Sequence, residues 1–142
     1  MKHADSIHYY LAKTEPAVYS IDDLQRDKKT VWDGVRNPQA VNAIKAMQPG
    51  DRVFIYHSGG VSAIVGLALV LSAGRPDPKS PKSAVVDLEF LAVLESPVTL
   101  AEIKQSKEFD DWALVRQGRL STMLVPDKFV TWIREKFPKT GI

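Results

Sequence analysis

Residues 32–37, with the sequence Trp-Asp-Gly-Val-Arg-Asn, place an indole, a guanidinium and a carboxamide within six positions. An indole stacks on flat rings, a guanidinium stacks or donates paired hydrogen bonds, and a carboxamide both donates and accepts. Gly34 allows the backbone an unusual angle or a close approach. This combination favours binding of a planar, polar ligand. The alternative is that Trp32 belongs to the core, Asn37 only caps a helix and Arg36 is solvated, and the residue pattern favours the two equally.

Three further polar triplets stand at the termini of predicted strands. They are Lys13, Thr14 and Glu15; Tyr56, His57 and Ser58; and Arg119, Leu120 and Ser121. Each triplet alone is weak evidence for a site, because strand ends are commonly polar. If a barrel brings these strand ends to one mouth, the triplets converge on a single pocket.

Catalysis has less support in the sequence than binding. The chain has no phosphate-binding loop, no dinucleotide fingerprint and no nucleophile elbow. The histidines, which show no metal-ligand spacing, are His3, His8 and His57. His57 and Ser58 could be a base and a nucleophile, but adjacent strand residues point to opposite faces. Lys13 and Glu15 share a face and could be an acid and a base, although a local ion pair explains them equally well. No metal or cofactor is expected.

The composition favours one globular domain over residues 1–142. Lys and Arg number 19 and Asp and Glu 17, so the net charge of +2 neither demands nor excludes a polyanionic partner. Without cysteine the chain has no disulfide, thiol nucleophile or thiolate metal site. The longest apolar run, residues 63–71, is far shorter than the roughly 20 residues that span a bilayer. We therefore expect a soluble cytoplasmic protein, with its oligomeric state left open.

The hydrophobic pattern alternates between short strands and short helices. Strands are predicted over residues 7–13, 30–32, 52–57, 61–72, 84–95 and 119–125. Helices are predicted to begin at Ser20, Asn37 and Thr99, which are typical caps, and over residues 127–137. Gly66 predicts a bulge or a close backbone approach inside its strand. Because residues 74–83 contain three prolines, they are expected to form an irregular, mobile loop.

Long, twisted strands in a chain of this size usually curl into a barrel. The predicted fold class is therefore α+β, with a small, mostly antiparallel β-barrel flanked by short helices.

Taken together, these motifs resemble the EVE domain family. The resemblance runs from about residue 7 to residue 125 and includes the strings YLAKTEP (10–16), WDGVRN (32–37), YHS (56–58), IVG (64–66) and RLS (119–121). This chain has Tyr10 and Thr14 where the family usually has Trp and Ser. The resemblance implies a barrel of the PUA-like superfamily with a pocket for a modified nucleobase, and modified cytosines in DNA are proposed ligands of several relatives.

The resemblance also implies which residues bind the ligand. Carried over position by position, they are Lys13, Thr14, Glu15, Trp32, Arg36, Asn37, Tyr56, His57, Ser58, Arg119, Leu120 and Ser121. The implied function is that of a non-catalytic reader of a modified base, most simply a modified cytosine, in DNA or RNA. Two alternatives stay open at this point: an enzyme acting on nucleotides or modified bases, and a module that binds a small metabolite or a protein.

Overall fold

The structure is a computed structural model and describes residues 7–142, so His3 lies outside the described residues. The strands are β1 (Tyr9–Thr14), β2 (Lys29–Trp32), β3 (Arg52–His57), β4 (Ala63–Val70), β5 (Arg75–Asp77), β6 (Ser80–Thr99) and β7 (Thr122–Leu124). The helices are α1 (Ile21–Asp27), α2 (Pro38–Ala46), α3 (Leu100–Ser106), α4 (Ala113–Arg116) and α5 (Asp127–Lys136). The α+β composition predicted from the sequence is confirmed.

All seven strands belong to one sheet. Its order is β2-β6-β4-β3-β1-β7, and β5 pairs with β6 beside this path. The β1–β3 pair is parallel and the other pairs are antiparallel. The prediction of mostly antiparallel pairing is therefore confirmed.

The predicted closed barrel is not confirmed. Within residues 7–142, the end strands β2 and β7 pair with β6 and β1 respectively and not with each other, so the sheet is open. The sheet is nevertheless strongly curled, because residues of β1 and β2 line one cavity although these strands stand near opposite ends of the order. Side chains and a cavity occupy the seam where a closed barrel would have a ladder of backbone hydrogen bonds.

Bulges help to bend the sheet, and the one predicted at Gly66 is confirmed. The β4–β6 register shifts between Ile64 and Gly66. A Cβ atom at Gly66 would lie 2.3 Å from Cδ1 of Ile21 and 2.9 Å from the carbonyl oxygen of Ala92. The close approach therefore requires glycine at this position, and the nearest side chain belongs to Ile21, the first residue of α1.

The prediction of an irregular loop over residues 74–83 is wrong in part. Arg75 and Pro76 pair with Val85 and Ala84, so β5 and the start of β6 form a hairpin. Proline is tolerated because β5 is an edge strand, where one side of the backbone needs no partner. The guanidinium of Arg75 also donates to Asp87 at 3.0 Å, which ties the hairpin to the sheet.

The helix signals read from the sequence are confirmed. Ser20 and Asp23 form a reciprocal capping box at α1. The carboxamide oxygen of Asn37 accepts from the backbone N–H groups of Gln39 and Ala40, so α2 begins at Pro38 as predicted. Of the helices described, none has both the length and the apolar character needed to cross a membrane.

The short helix α4 was not predicted, and the segment before it packs with α5 to form a cluster of four aromatic residues. This aromatic cluster consists of Phe109, Trp112, Phe129 and Trp132. Phe129 lies fully buried at its centre, with ring centroids of the other three within 4.6–5.3 Å. The indole N–H of Trp112 donates to the carbonyl oxygen of Leu124 at 3.0 Å. The cluster is part of the hydrophobic core, and its Trp112 indole already has a hydrogen-bond partner within the protein.

Candidate nucleobase-binding cavity

A cavity of about 310 Å³ opens at the seam between β1 and β2. This volume is at the lower end of the range of roughly 300–1,000 Å³ for small-molecule pockets, which suits a ligand the size of one base. We call it the Trp32 cavity. Its lining residues are Lys13, Thr14, Val18, Tyr19, Thr30, Val31, Trp32, Asp33, Gly34, Val35 and Ser121.

Trp32 ends β2 and forms one wall of the cavity. It is 8% exposed, so it belongs to the core and also reaches the cavity. The Tyr19 ring meets it edge-on, with centroids 6.2 Å apart and planes at 81°. None of the described residues accepts a hydrogen bond from the Trp32 indole, and its N–H is not a buried unsatisfied group. The indole therefore supplies an aromatic surface and an accessible donor.

Hydroxyl groups supply polar atoms around the indole. Thr14 Oγ1 donates to the carbonyl oxygen of Tyr19 at 2.7 Å, which fastens the loop before α1 to the end of β1. The phenol of Tyr19 donates to Asp27 at 3.0 Å, and burial is the main cause that raises its pKa. Ser121 and Thr30 complete this polar part of the lining. Hydroxyls donate and accept, so they suit a ligand edge that carries both kinds of group.

Lys13 brings the cavity a positive charge. Its Nζ atom donates to the carbonyl oxygen of Gly118 at 2.9 Å and lies 5.4 Å from the centroid of the Tyr56 ring. Burial lowers the pKa of this half-buried amine. In the described part of the chain Lys13 does not pair with Glu15, so the local ion pair considered from the sequence is not formed.

The turn after Trp32 is built by glycine. Gly34 has a φ of 78°, a left-handed conformation that favours glycine, and the space around it is open. This turn exposes Asp33 at the cavity and returns Val35 to the core, where its carbonyl oxygen accepts a hydrogen bond from the Ser83 hydroxyl. Residues 32–37 thus form a cavity wall and also lead into α2, with Asn37 as its cap.

The structure brings some of the predicted ligand residues together and separates others. Those that line the cavity are Lys13, Thr14, Trp32 and Ser121. Exposed residues outside the lining are Glu15, Arg36, Asn37 and Arg119. Leu120 and Tyr56 are buried in the core, at 3% and 2% exposure. Each of these other predicted residues lies outside the lining of the Trp32 cavity, either in the core or at the surface.

His57 and Ser58 support neighbouring segments. Nε2 of His57 accepts from the backbone N–H of Ile21 at 3.0 Å, and Ser58 Oγ lies 3.4 Å from the carbonyl oxygen of Thr14. The nitrogen that an enzymatic mechanism would use as a base is therefore already occupied as an acceptor. In this arrangement His57 and Ser58 do not form the base–nucleophile pair that the enzyme hypothesis would need.

Tyr19 is the main cavity residue that the sequence pattern did not single out. It lies directly before Ser20, the predicted cap of α1, and reaches the cavity because the loop folds back onto Thr14. Thr30, Val31 and Val18 were also missed. Val18 is 77% exposed and lies beside the cavity, but nothing in the sequence distinguishes it from an ordinary loop residue.

The chain is similar to several known proteins. The model of the EVE domain matches residues 8–136. Thymocyte nuclear protein 1 of Rattus norvegicus is 35% identical, over 68% of this chain and 55% of the relative, and the Homo sapiens protein is 34% identical with the same coverage. This chain thus spans about half the length of the curated relatives it matches.

Two solved structures are also similar. A hypothetical protein from Leishmania major has a TM-score of 0.83 and 33% identity, covering 96% of this chain and 99% of that one. The human THYN1 protein, solved in complex with 5-methylcytosine-containing DNA, has a TM-score of 0.82 and 25% identity, covering 91% of this chain and 96% of that one.

Proposed function

This chain belongs to the EVE domain family, and from that premise we propose that its Trp32 cavity binds a modified cytosine in DNA without catalysing a reaction on it. The observation that carries the proposal is a buried tryptophan lining a base-sized cavity that also contains hydroxyls and an amine. The similar human THYN1 protein was solved with 5-methylcytosine-containing DNA, which supports the same ligand class here.

The binding mode requires the base to leave the double helix. A base that leaves its stack loses stacking energy, and an aromatic surface restores about 1–3 kcal/mol of it. In our proposal the Trp32 indole provides that surface. The hydroxyls of Thr14 and Ser121 and the amine of Lys13 then bind the polar edge of the base, which has both donors and acceptors.

Predicted ligand residues outside the cavity have a different proposed role. Arg36 and Asn37 follow the cavity turn at Gly34, and Arg119 stands two residues before Ser121. We assign these exposed residues to the phosphates on either side of the flipped base, where contacts add affinity without reading sequence.

Recognition of the modification is expected to be modest. A methyl group is a small increment, and an apolar contact to it adds only about 1–3 kcal/mol. The apolar side chains available for this contact in the lining are Val18, Val31 and Val35. We therefore expect preference for the modified base and weaker binding of the unmodified base.

Equilibrium binding to matched oligonucleotides tests the proposal. Fluorescence anisotropy at low salt would compare DNA with 5-methylcytosine, the same DNA with cytosine, and the corresponding RNA strands. The protein is expected to bind the methylated DNA most tightly, and Trp32→Ala to weaken that affinity by about 5- to 150-fold.

A matched control is Trp132→Ala, which removes a half-buried indole from the aromatic cluster and leaves the cavity lining intact. Circular dichroism would show that both variants are folded. If the wild-type protein binds methylated DNA no better than a scrambled polyanion does, or if the two variants lose affinity equally, the proposal is wrong.

A further inference from the structure

We infer that His57 is a positioning residue for the Trp32 cavity: as a neutral imidazole it holds the start of α1, and through it Tyr19, against Trp32. This role replaces the direct ligand contact predicted for His57 from the sequence. It rests on the proposed function only in that the Trp32 cavity is taken to be the binding site.

The hydrogen bond that carries this inference joins two distant parts of the chain. The backbone N–H of Ile21, the first residue of α1, donates to His57 Nε2 at 3.0 Å across 36 positions. First-turn N–H groups of a helix have no partner within the helix. The Ser20 hydroxyl accepts from the N–H of Asp23, and His57 Nε2 accepts from the N–H of Ile21. The imidazole therefore links the start of α1 to the end of β3, in addition to the packing of Ile21 and Leu24 in the core.

This link lies two residues from the cavity wall. Tyr19 precedes the cap Ser20, its carbonyl oxygen accepts from Thr14, and its phenol donates to Asp27 at the other end of α1. Its ring packs edge-on against Trp32. Tyr19 is connected to α1 in two ways, by the peptide chain and by the hydrogen bond from its phenol to Asp27. A shift of the start of α1 would therefore move the Tyr19 ring relative to Trp32.

Protonation would break the link. An imidazolium carries N–H on both nitrogens, so Nε2 would no longer accept and would face the N–H of Ile21 as a second donor. The positive end of the α1 dipole also disfavours a cation there. The negative charge of Asp22 acts in the opposite direction and raises the pKa of His57. The residues paired with His57 in the sheet, Thr14 on β1 and Ala63 on β4, carry no charge.

The direction of the pH effect follows from these neighbours. Burial outweighs Asp22 and lowers the pKa of His57 below its ordinary value of 6.5. A histidine with a lowered pKa in the folded protein stabilises the fold above the ordinary value, and this contribution is lost as the pH falls through the lowered value. The cavity is therefore intact at neutral pH and loosens in acid.

Binding measured against pH separates this role from simple structural support. Wild-type affinity for 5-methylcytosine DNA should fall as the pH is lowered from about 7.5 past the ordinary histidine value, by about fivefold or more once His57 is protonated. In His57→Gln a neutral side-chain oxygen replaces Nε2 as the acceptor at every pH, so this variant should bind and should lose the acid-dependent decrease. His57→Phe, which has no acceptor, should bind weakly throughout. The matched control His8→Gln alters an exposed histidine and should keep the wild-type profile.

A measurement without DNA decides the inference independently of the proposed function. In NMR spectra, the Ile21 amide should titrate together with the His57 ring, and Tyr19–Trp32 cross-peaks should weaken in acid in wild type but not in His57→Gln. Equal pH profiles for wild type and His57→Gln, or an Ile21 amide that ignores the His57 titration, would overturn the inference. Failure of wild type to bind DNA at any pH would instead refute the proposed function, and the NMR result would still decide the role of His57.

Discussion

Two cavities of the same size, about 310 Å³ each, are lined by tryptophan in this molecule, yet their chemistry differs. The Trp32 cavity contains hydroxyls and Lys13 beside one indole. The second, which we call the Trp112 cavity, lies beside the aromatic cluster. Its lining residues are Phe109, Asp111, Trp112, Ala113, Leu124, Pro126 and Lys128.

The lysines of the two cavities have similar contacts, because Lys13 and Lys128 each donate to a backbone carbonyl oxygen and each lie 5.4 Å from the centroid of an aromatic ring. The difference lies in the indole: in the Trp112 cavity its N–H already donates to the carbonyl oxygen of Leu124. In the Trp32 cavity, none of the described residues accepts from the indole. A tryptophan beside a cavity is therefore stronger evidence for a binding site when its own N–H group remains available to a ligand.

The largest expected effect of a single substitution is on the aromatic cluster. Phe129→Ala removes a fully buried ring from among four aromatic neighbours and should lower the free energy of unfolding by about 3–5 kcal/mol. Urea denaturation measures this loss. Binding of methylated DNA, normalised to the folded fraction, should stay unchanged. A specific loss of affinity in the folded fraction would mean that the cluster takes part in binding, and the contrast between the two regions would disappear.

A pair of equivalent substitutions sharpens the comparison. Trp112→Phe leaves the Leu124 carbonyl oxygen without its donor and should cost about 1–3 kcal/mol of stability with no change in affinity. Trp32→Phe removes a donor that no described residue uses and reduces the stacking surface, so it should weaken binding of methylated DNA by about fivefold or more. Thermal unfolding and anisotropy on both proteins provide the test. If Trp32→Phe loses stability but binds normally, Trp32 acts only in the core.

The smallest expected effect is at the helix that follows the cavity turn. Asn37→Ala removes the acceptor for two backbone N–H groups of α2 and should cost about 1 kcal/mol of stability. Asn37→Asp keeps that acceptor and suits the helix dipole, so its stability should match wild type. Its added negative charge would repel a neighbouring phosphate, and DNA affinity should fall several-fold. Normal DNA binding by Asn37→Asp would restrict Asn37 to capping.

Features set by neighbouring residues were predictable from the sequence. The capping box of Ser20 and Asp23 and the Asn37–Pro38 start of α2 depend on residues a few positions apart, and both are present. The bounds of β3 match the prediction, because an apolar run between a Gly-Asp turn and a Ser-Gly-Gly turn leaves little choice.

Features set by how loops and strands pack in three dimensions were not predictable. Tyr19 reaches the cavity through hydrogen bonds from Thr14 to its carbonyl and from its phenol to Asp27, and no spacing in the sequence encodes these. The open seam likewise depends on how β1 and β2 approach each other in space. The β5–β6 hairpin was missed because its prolines are tolerated on an edge strand, and edge position is a property of the whole sheet.

A crystal structure of this protein with duplex DNA that contains one 5-methylcytosine tests the proposed site most directly. We predict that the methylated base leaves the duplex and enters the Trp32 cavity, with its ring stacked on the Trp32 indole. A methylated base that stays stacked within the duplex, or that binds in the Trp112 cavity, would contradict this prediction.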